Sequence, residues 1–269
     1  MGSGAADGWP TPYCRCRSCL AARAAGEHRL PTAALIDGVL QLDAGAHAGT
    51  QAVRAGRDLA DVRAVLVTHA HSDHLDPAFL LHRGWVDQRP LAVVGPPPVV
   101  RICEPWLDPA GTHVRLVAVS AGDRLELDGY EVRVTAAAHE ALGECVLYDV
   151  TGRDGARLLY ATDTGPWAPG FADVVRGLPP YDLVLLEQTF GDRPRQGGHH
   201  DLASFADALA GLRDLRLIGE RTRVVAVHLS HHNPPPTELA ARLEALGAHP
   251  GRDLEVLRAP AVPGGAAGP

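Results

Sequence analysis

His69, His71, Asp73 and His74 put four metal-ligand side chains into six residues, directly after the apolar run Val65-Leu66-Val67. Imidazole and carboxylate at this density suit a divalent transition metal such as zinc. His69 and His71 are two apart, so an extended segment presents them on one face. Asp73 and His74 come where the chain must turn, and can face a second metal beside the first. Asp163, in Tyr160-Ala161-Thr162-Asp163-Thr164-Gly165, ends another apolar run. Its two carboxylate oxygens could bridge two cations. A separate set is Cys14, Cys16 and Cys19, with Cys-x-Cys-x-x-Cys spacing. Three thiolates so close ask for a fourth ligand and a tetrahedral zinc. Cys103 and Cys145 lie in apolar surroundings and read as core.

These residues need strands to hold them. Val65 onward reads as a buried strand with polar residues at its C-terminal end, where open α/β sheets place their sites. The pattern predicts a hairpin over 33–42, with Asp37-Gly38 as a two-residue turn, and a second over 124–135 around Asp128-Gly129. A third pair of strands, 145–150 and 158–161, flanks Asp154-Gly155. Further strands are expected at 62–68, 91–94, 114–119, 182–187 and 223–229. Helices are expected at 20–26, 47–59, 77–83, 98–107, 170–177, 201–214 and 236–246, with Asp201 as an N-cap. Each β-rich half opens with an Asp-Gly hairpin and ends with interspersed helices. Two facing sheets with helices outside would bury this pattern, which is a four-layer αββα sandwich of the α/β class.

The 269 residues allow one large domain or two small ones. Hydrophobic residues make up 46% and charged residues 21%, both ordinary for a soluble globular protein. A net charge of −7 argues against a nucleic-acid-coating role. A small phosphorylated substrate needs only a local positive site. No apolar run reaches the roughly 18 residues of a membrane span. Residues 1–30 lack the apolar centre of a signal peptide, so a cytoplasmic location is expected. Five cysteines then suggest metal binding more than disulfides.

His-x-His-x-Asp-His over residues 69–74 resembles the signature of the metallo-β-lactamase superfamily at every defined position. The resemblance implies the αββα sandwich as one hydrolase domain over 1–258, with 1–30 as a zinc-binding loop; the tail 259–269, rich in Pro, Gly and Ala without periodicity, is expected from its composition to be disordered. The resemblance also implies that His139, after a strand and three alanines, completes a first site with His69, His71 and Asp163. It implies a second site of Asp73, His74, His228 and the same bridging Asp163. Two divalent ions, zinc or manganese, would share a bridging hydroxide that attacks a phosphoester. Many true β-lactamases carry cysteine at the Asp163 position, so antibiotic hydrolysis is disfavoured.

The cysteine trio narrows the resemblance to the phosphoribosyl cyclic phosphodiesterases of the carbon–phosphorus lyase pathway. There the structural zinc is completed by a histidine three residues after the last catalytic-site histidine. That position is His231, with His232 as the competing ligand. The same branch places a substrate-facing histidine ahead of Asp201-Leu202: His199 by alignment, His200 as the alternative. His199 and Asp73 are the expected catalytic residues. The family opens with a strand before its Gly-x-Gly loop. Here Gly2-Ser3-Gly4 follows Met1 directly, so that strand is expected to be missing. The expected activity is phosphodiester hydrolysis on a small phosphoester, cyclic ones included. No nucleic acid or membrane partner is expected, and a homodimer is allowed. Two alternatives stand beside it: a metal-dependent oxygenase or hydrolase like the coenzyme PQQ biosynthesis protein B, and a non-catalytic metal-binding protein on the same scaffold.

Overall fold

Strand alternation decides the layering. In β3 (Ala64–Leu66), Ala64 and Leu66 enter one core, while Val65 and the following Val67 enter another. The same split recurs in β11 (Arg223–Val227): Val225 and Val227 point one way, Val224 and Ala226 the other. Strands that are apolar on both faces must be covered on both faces. The computed structural model describes residues 1–107, 113–139 and 142–259. The tail expected to be disordered lies outside the described residues from 260 onward.

The first sheet runs β1 (Ala34–Ile36), β2 (Leu40–Leu42), β3, β4 (Leu91–Gly95), β5 (Val114–Ala118), in that order. Only the β1–β2 hairpin is antiparallel. The second sheet has seven strands in the order β12 (His249–Pro250), β11, β10 (Leu183–Glu187), β9 (Arg157–Ala161), β8 (Val146–Thr151), β7 (Tyr130–Ala136), β6 (Arg124–Leu127). It is antiparallel from β6 to β9 and parallel from β9 to β12. Leu42, Leu66 and Val94 from the first sheet meet Val132, Tyr148, Tyr160 and Val225 from the second.

Helices α3 (Ala78–Gly84) and α4 (Pro97–Cys103) cover the first sheet through Leu80, Val99 and Cys103. Helices α1 (Arg17–Ala24), α5 (Phe171–Val175), α6 (Leu202–Asp214) and α7 (Pro236–Ala245) cover the second through Ala22, Phe171, Phe205 and Leu239. The short α2 (Ala48–Arg54) completes the set. The fold is the expected four-layer αββα sandwich.

Local chemistry explains most boundaries. Asp37 and Gly38, like Asp128 and Gly129, all have positive φ (51°, 76°, 51° and 83°), as a two-residue turn matched to strand twist requires. Asp201 caps α6: its side chain accepts from Ser204 N–H at 2.7 Å, and Ser204 Oγ accepts from Asp201 N–H at 3.1 Å. Three expectations are corrected. The helix expected over 47–59 stops at Arg54, ahead of Gly56 in the left-handed region. The helix expected from residue 20 begins at Arg17, with the Cys16 sulfur accepting from Cys19 N–H as its cap. The helix expected to run to 107 ends at Cys103 and passes into a 3₁₀ turn at Glu104–Trp106, where Pro105 has no N–H to continue it. Residues 2–5 form no strand. They lie against Pro31, Ala33 and Leu229 through isolated bridges.

Leu66 is fully buried between the sheets. Leu66→Ala should cost about 2–5 kcal/mol in urea unfolding, and a smaller loss would mean that the two sheets close over the cavity.

Candidate metal centre

Six strands deliver the functional side chains to one rim. The parallel strands β2 and β3 end at Asp43 and at the His69–His74 segment. The parallel strands β9, β10 and β11 end near Asp163, at Glu187, and at His228. Strand β7 is two antiparallel steps from β9 and so points the same way, with His139 three residues beyond its end.

There the side chains converge as two sets. In the first, His69 Nε2 and His71 Nδ1 are 3.0 Å apart, and His139 Nε2 is 3.4 Å from His71 Nδ1. Asp163 Oδ2 faces them, 3.6 Å from His69 Nε2 and 3.8 Å from His139 Nε2. In the second, His74 Nε2 is 3.0 Å from Asp73 Oδ2 and 3.2 Å from Asp163 Oδ1. His228 Nε2 is 3.6 Å and 3.3 Å from the same two oxygens. Asp163 therefore gives one oxygen to each set.

The donor chemistry fits a cation in each. His74 Nε2 and His228 Nε2 are buried and make no hydrogen bond, although carboxylate oxygens lie within 3.6 Å. A buried polar atom without a partner is costly, and a shared cation removes the cost. The ring nitrogens on the far side fix the tautomers. Thr68 Oγ1 donates to Asp43, so it can only accept from His69 Nδ1, 3.0 Å away. His74 Nδ1 meets Asp43 Oδ2 at 2.7 Å. Thr189 Oγ1 gives its one proton to Glu187 Oε2, so it accepts from His228 Nδ1 at 2.9 Å. In all three rings Nε2 keeps a lone pair for a metal, as carboxylate- and hydroxyl-backed ligands do.

The electrostatics agree. Burial, then the neighbouring His74, push His69 well below the ordinary imidazole range. Burial opposes charge on His74, but Asp163, Asp73 and Asp43 together raise it well above that range. Burial alone would raise Asp163, yet His228, His74 and His69 hold its carboxyl well below the usual value. The field that favours a proton on His74 also favours a cation beside it.

Two glycines allow this closeness. A Cβ on Gly45 would lie 1.9 Å from the Asp73 carbonyl oxygen. Gly198 has φ +74°, and a Cβ there would lie 2.6 Å from His139 Cα. Asp43, Asp163 and His228 also have positive φ (58°, 54° and 54°), which is strained for a histidine and marks the sharp exit of each strand.

The His199 ring lies 4.7 Å from that of His139 and stacks on His228 at 5.2 Å. Its Nδ1 is 3.3 Å from Glu187 Oε2. Burial works against a charged His199, but Glu187 outweighs it and lifts the imidazolium to about 9. His200 turns inward, fully buried, with Nδ1 3.2 Å from Ser204 Oγ. Motif spacing singles out none of Glu187, Thr189 and Asp43. The one signal was an acidic residue closing an apolar run, as in Leu183-Val184-Leu185-Leu186-Glu187.

Away from these two sets, at the thiolate site, Cys14, Cys16, Cys19 and His231 place their ligand atoms within 4.8 Å of one another. His231 Nδ1 is 3.8 Å from Cys16 Sγ. His232 instead meets Arg193 at 2.8 Å and stacks on Phe190. Burial would raise the Cys16 thiol, but the Cys19 N–H and His231 bring it down to about 6. Burial and the neighbouring Cys16 sulfur push Cys19 up to about 12. Three close sulfurs, one of them stabilised as thiolate, and an imidazole make a donor set that suits a tetrahedral metal such as zinc. Cys103 is buried in the outer core over the first sheet, and Cys145 is buried as well.

Residues 32–229 match the sequence profile of the beta-lactamase superfamily domain. The chain belongs to the beta-lactamase superfamily. Superfamily members with related sequences include ribonuclease Z of Mycobacterium bovis BCG, 29% identical over 147 residues. That alignment takes in 46% of this chain, and the chain spans about half (52%) of the length of the curated relatives it matches. Among solved structures, a diphosphatase of the PhnP family has a TM-score of 0.72 at 21% identity, covering 94% of this chain and 93% of that one. A metallo-beta-lactamase fold protein from Bacillus subtilis has a TM-score of 0.67 at 15% identity, covering 94% and 95%. At these identities the likeness is one of fold. The superfamily fold binds divalent metals, and this chain carries the His/Asp and Cys sets to do so.

Protein purified without chelator should contain two ions at the histidine centre and one zinc at the thiolate site. Asp163→Ala should release at least one of the histidine-centre ions while the melting profile keeps its cooperative form. Elemental analysis reads both, and full metal retention in the variant would contradict the bridging geometry.

Proposed function

We propose that this hydrolase is a two-metal phosphodiesterase acting on small phosphoesters, cyclic ones included. The observation that carries the reading is Asp163, with one oxygen toward each ligand set and His199 beside both. Cations held by these residues supply Lewis acidity toward phosphoryl oxygens and an activated water. Every other step belongs to the protein. Asp73 commits Oδ2 to the second position and leaves Oδ1 to orient the attacking water. His199 is held through Nδ1 by Glu187, which leaves Nε2–H as the donor that can protonate the departing oxygen. In this reading Cys14, Cys16, Cys19 and His231 hold a structural zinc that contributes folding free energy directly. Five free cysteines fit a reducing, cytoplasmic setting. Among the described residues no helix is long and apolar enough to cross a membrane.

RNA is the second reading, and the likeness to ribonuclease Z favours it. The net charge of −7 weighs against it. Turnover of bis(p-nitrophenyl) phosphate and a 2′,3′-cyclic nucleotide, beside an RNA oligonucleotide at equal phosphodiester concentration, separates the two. A preference for the oligonucleotide would overturn the small-ester reading, and no cleavage of any of them would overturn both.

His199→Ala should keep every bound ion and lower kcat by roughly 10²–10⁴-fold on esters with poor leaving groups. The loss should shrink for p-nitrophenolate, which needs little protonation. Equal losses on both would show that His199 does not act as the acid.

A further inference from the structure

The turn after β11 serves both ligand sets. His228 faces Asp73 and Asp163, and three residues later His231 faces Cys16. The residues between have no slack. Leu229 N–H donates to the Ser3 carbonyl at 3.0 Å, and the Leu229 carbonyl accepts from Ala5 N–H at 3.1 Å. Ser230, 2% exposed, donates its hydroxyl to the Thr189 carbonyl at 2.5 Å. Its oxygen also accepts from His232 N–H at 3.1 Å. Asn233 Nδ2 donates to the Gln188 and Thr189 carbonyls at 3.2 and 3.3 Å. Thr189 is the residue whose hydroxyl sets the His228 tautomer and touches Glu187. One short segment thus holds a thiolate-site ligand, a histidine-centre ligand and the backbone of the residue that orients the latter.

We propose that Ser230 is a positioning residue that couples the thiolate site to the second position of the histidine centre. A cation held by Cys14, Cys16, Cys19 and His231 fixes the turn from residue 228 to 233. The Ser230–Thr189 bond carries that constraint to the His228 ring. The coupling is reciprocal, so a cation at His74 and His228 tightens the thiolate site by the same factor. A staple that only held the N-terminal loop would need no ligand from this turn. The inference rests on the His/Asp set being a metal centre, as proposed above, but not on its reaction.

The test is the metal affinity of the full-length, zinc-loaded chain, read by chelator competition. The visible spectrum of cobalt-substituted protein distinguishes sulfur-bound from histidine-bound ions. Ser230→Ala should weaken one histidine-centre ion about tenfold, the effect of one buried hydrogen bond, while zinc stays on the cysteines. Ser230→Thr, which keeps the hydroxyl, should restore it. Cys16→Ser should weaken the same ion, and the double variant should be no weaker than either alone. If Cys16→Ser does not fold, the Ala and Thr variants of Ser230 decide. Unchanged affinity in Ser230→Ala, or additive losses in the double variant, would overturn the coupling. Coupled affinities in a chain that hydrolyses no phosphodiester would support it and remove the phosphodiesterase reading alone.

Discussion

The Asp163 carboxylate, buried between His69, His139, His74 and His228, is the constraint on which the rest of the site depends. A carboxylate there is stable only if positive charge surrounds it, and the buried Nε2 atoms of His74 and His228 are stable only if something accepts their lone pairs. A pair of cations answers both demands at once. Asp163 also stands in a left-handed backbone conformation, so the strand must turn sharply where its side chain is needed. Position and charge are settled by the same residue.

Around that residue the rim is a set of orienting bonds rather than a list of ligands. Asp43 holds the His74 ring, the Thr68 hydroxyl and the Tyr160 hydroxyl, the last at 2.9 Å. It ties the first sheet to the second directly beneath the second position. Glu187 plays the same part on the other side: it receives the His200 N–H, the Thr189 hydroxyl and His199 Nδ1. Each of these two buried carboxylates is therefore met by hydroxyl or backbone donors as well as by a histidine ring. This separates Asp43 and Glu187 from Asp163, whose partners are all ring nitrogens except for the Thr162 hydroxyl at 2.8 Å.

Legibility in the sequence followed distance along the chain. His69, His71, Asp73 and His74 were visible because their spacing alone puts them on one corner. The hairpins were visible because Asp-Gly pairs fix a backbone conformation locally. Asp163 and His228 showed only as polar residues ending apolar runs, and their pairing with the first cluster came from resemblance. Glu187, Thr189 and Asp43 were not legible. Glu, Thr and Asp are common residues, and their roles arise from contacts across 12 to 117 positions. His199 and His200 face different ways ahead of α6, which spacing does not show: His200 is buried against Ser204, and His199 lies beside His139 and His228. The earlier start of α1 escaped because a cysteine sulfur, not a conventional cap, opens the helix.

The helices show the converse. Among the described residues, none of α2 to α7 carries a member of the two His/Asp sets: every one comes from a strand end or the loop behind it. The outer layers supply apolar cover, Phe205 and Leu239 on one side and Leu80 and Val99 on the other. Helix α1 is the exception, since Cys19 lies in its first turn and Cys16 caps it. Its ligand partner His231 is borne on the turn that also bears His228. Helix α1 is thus tied, through the Cys16–His231 contact, to the segment where a movement of the backbone would be felt at the rim.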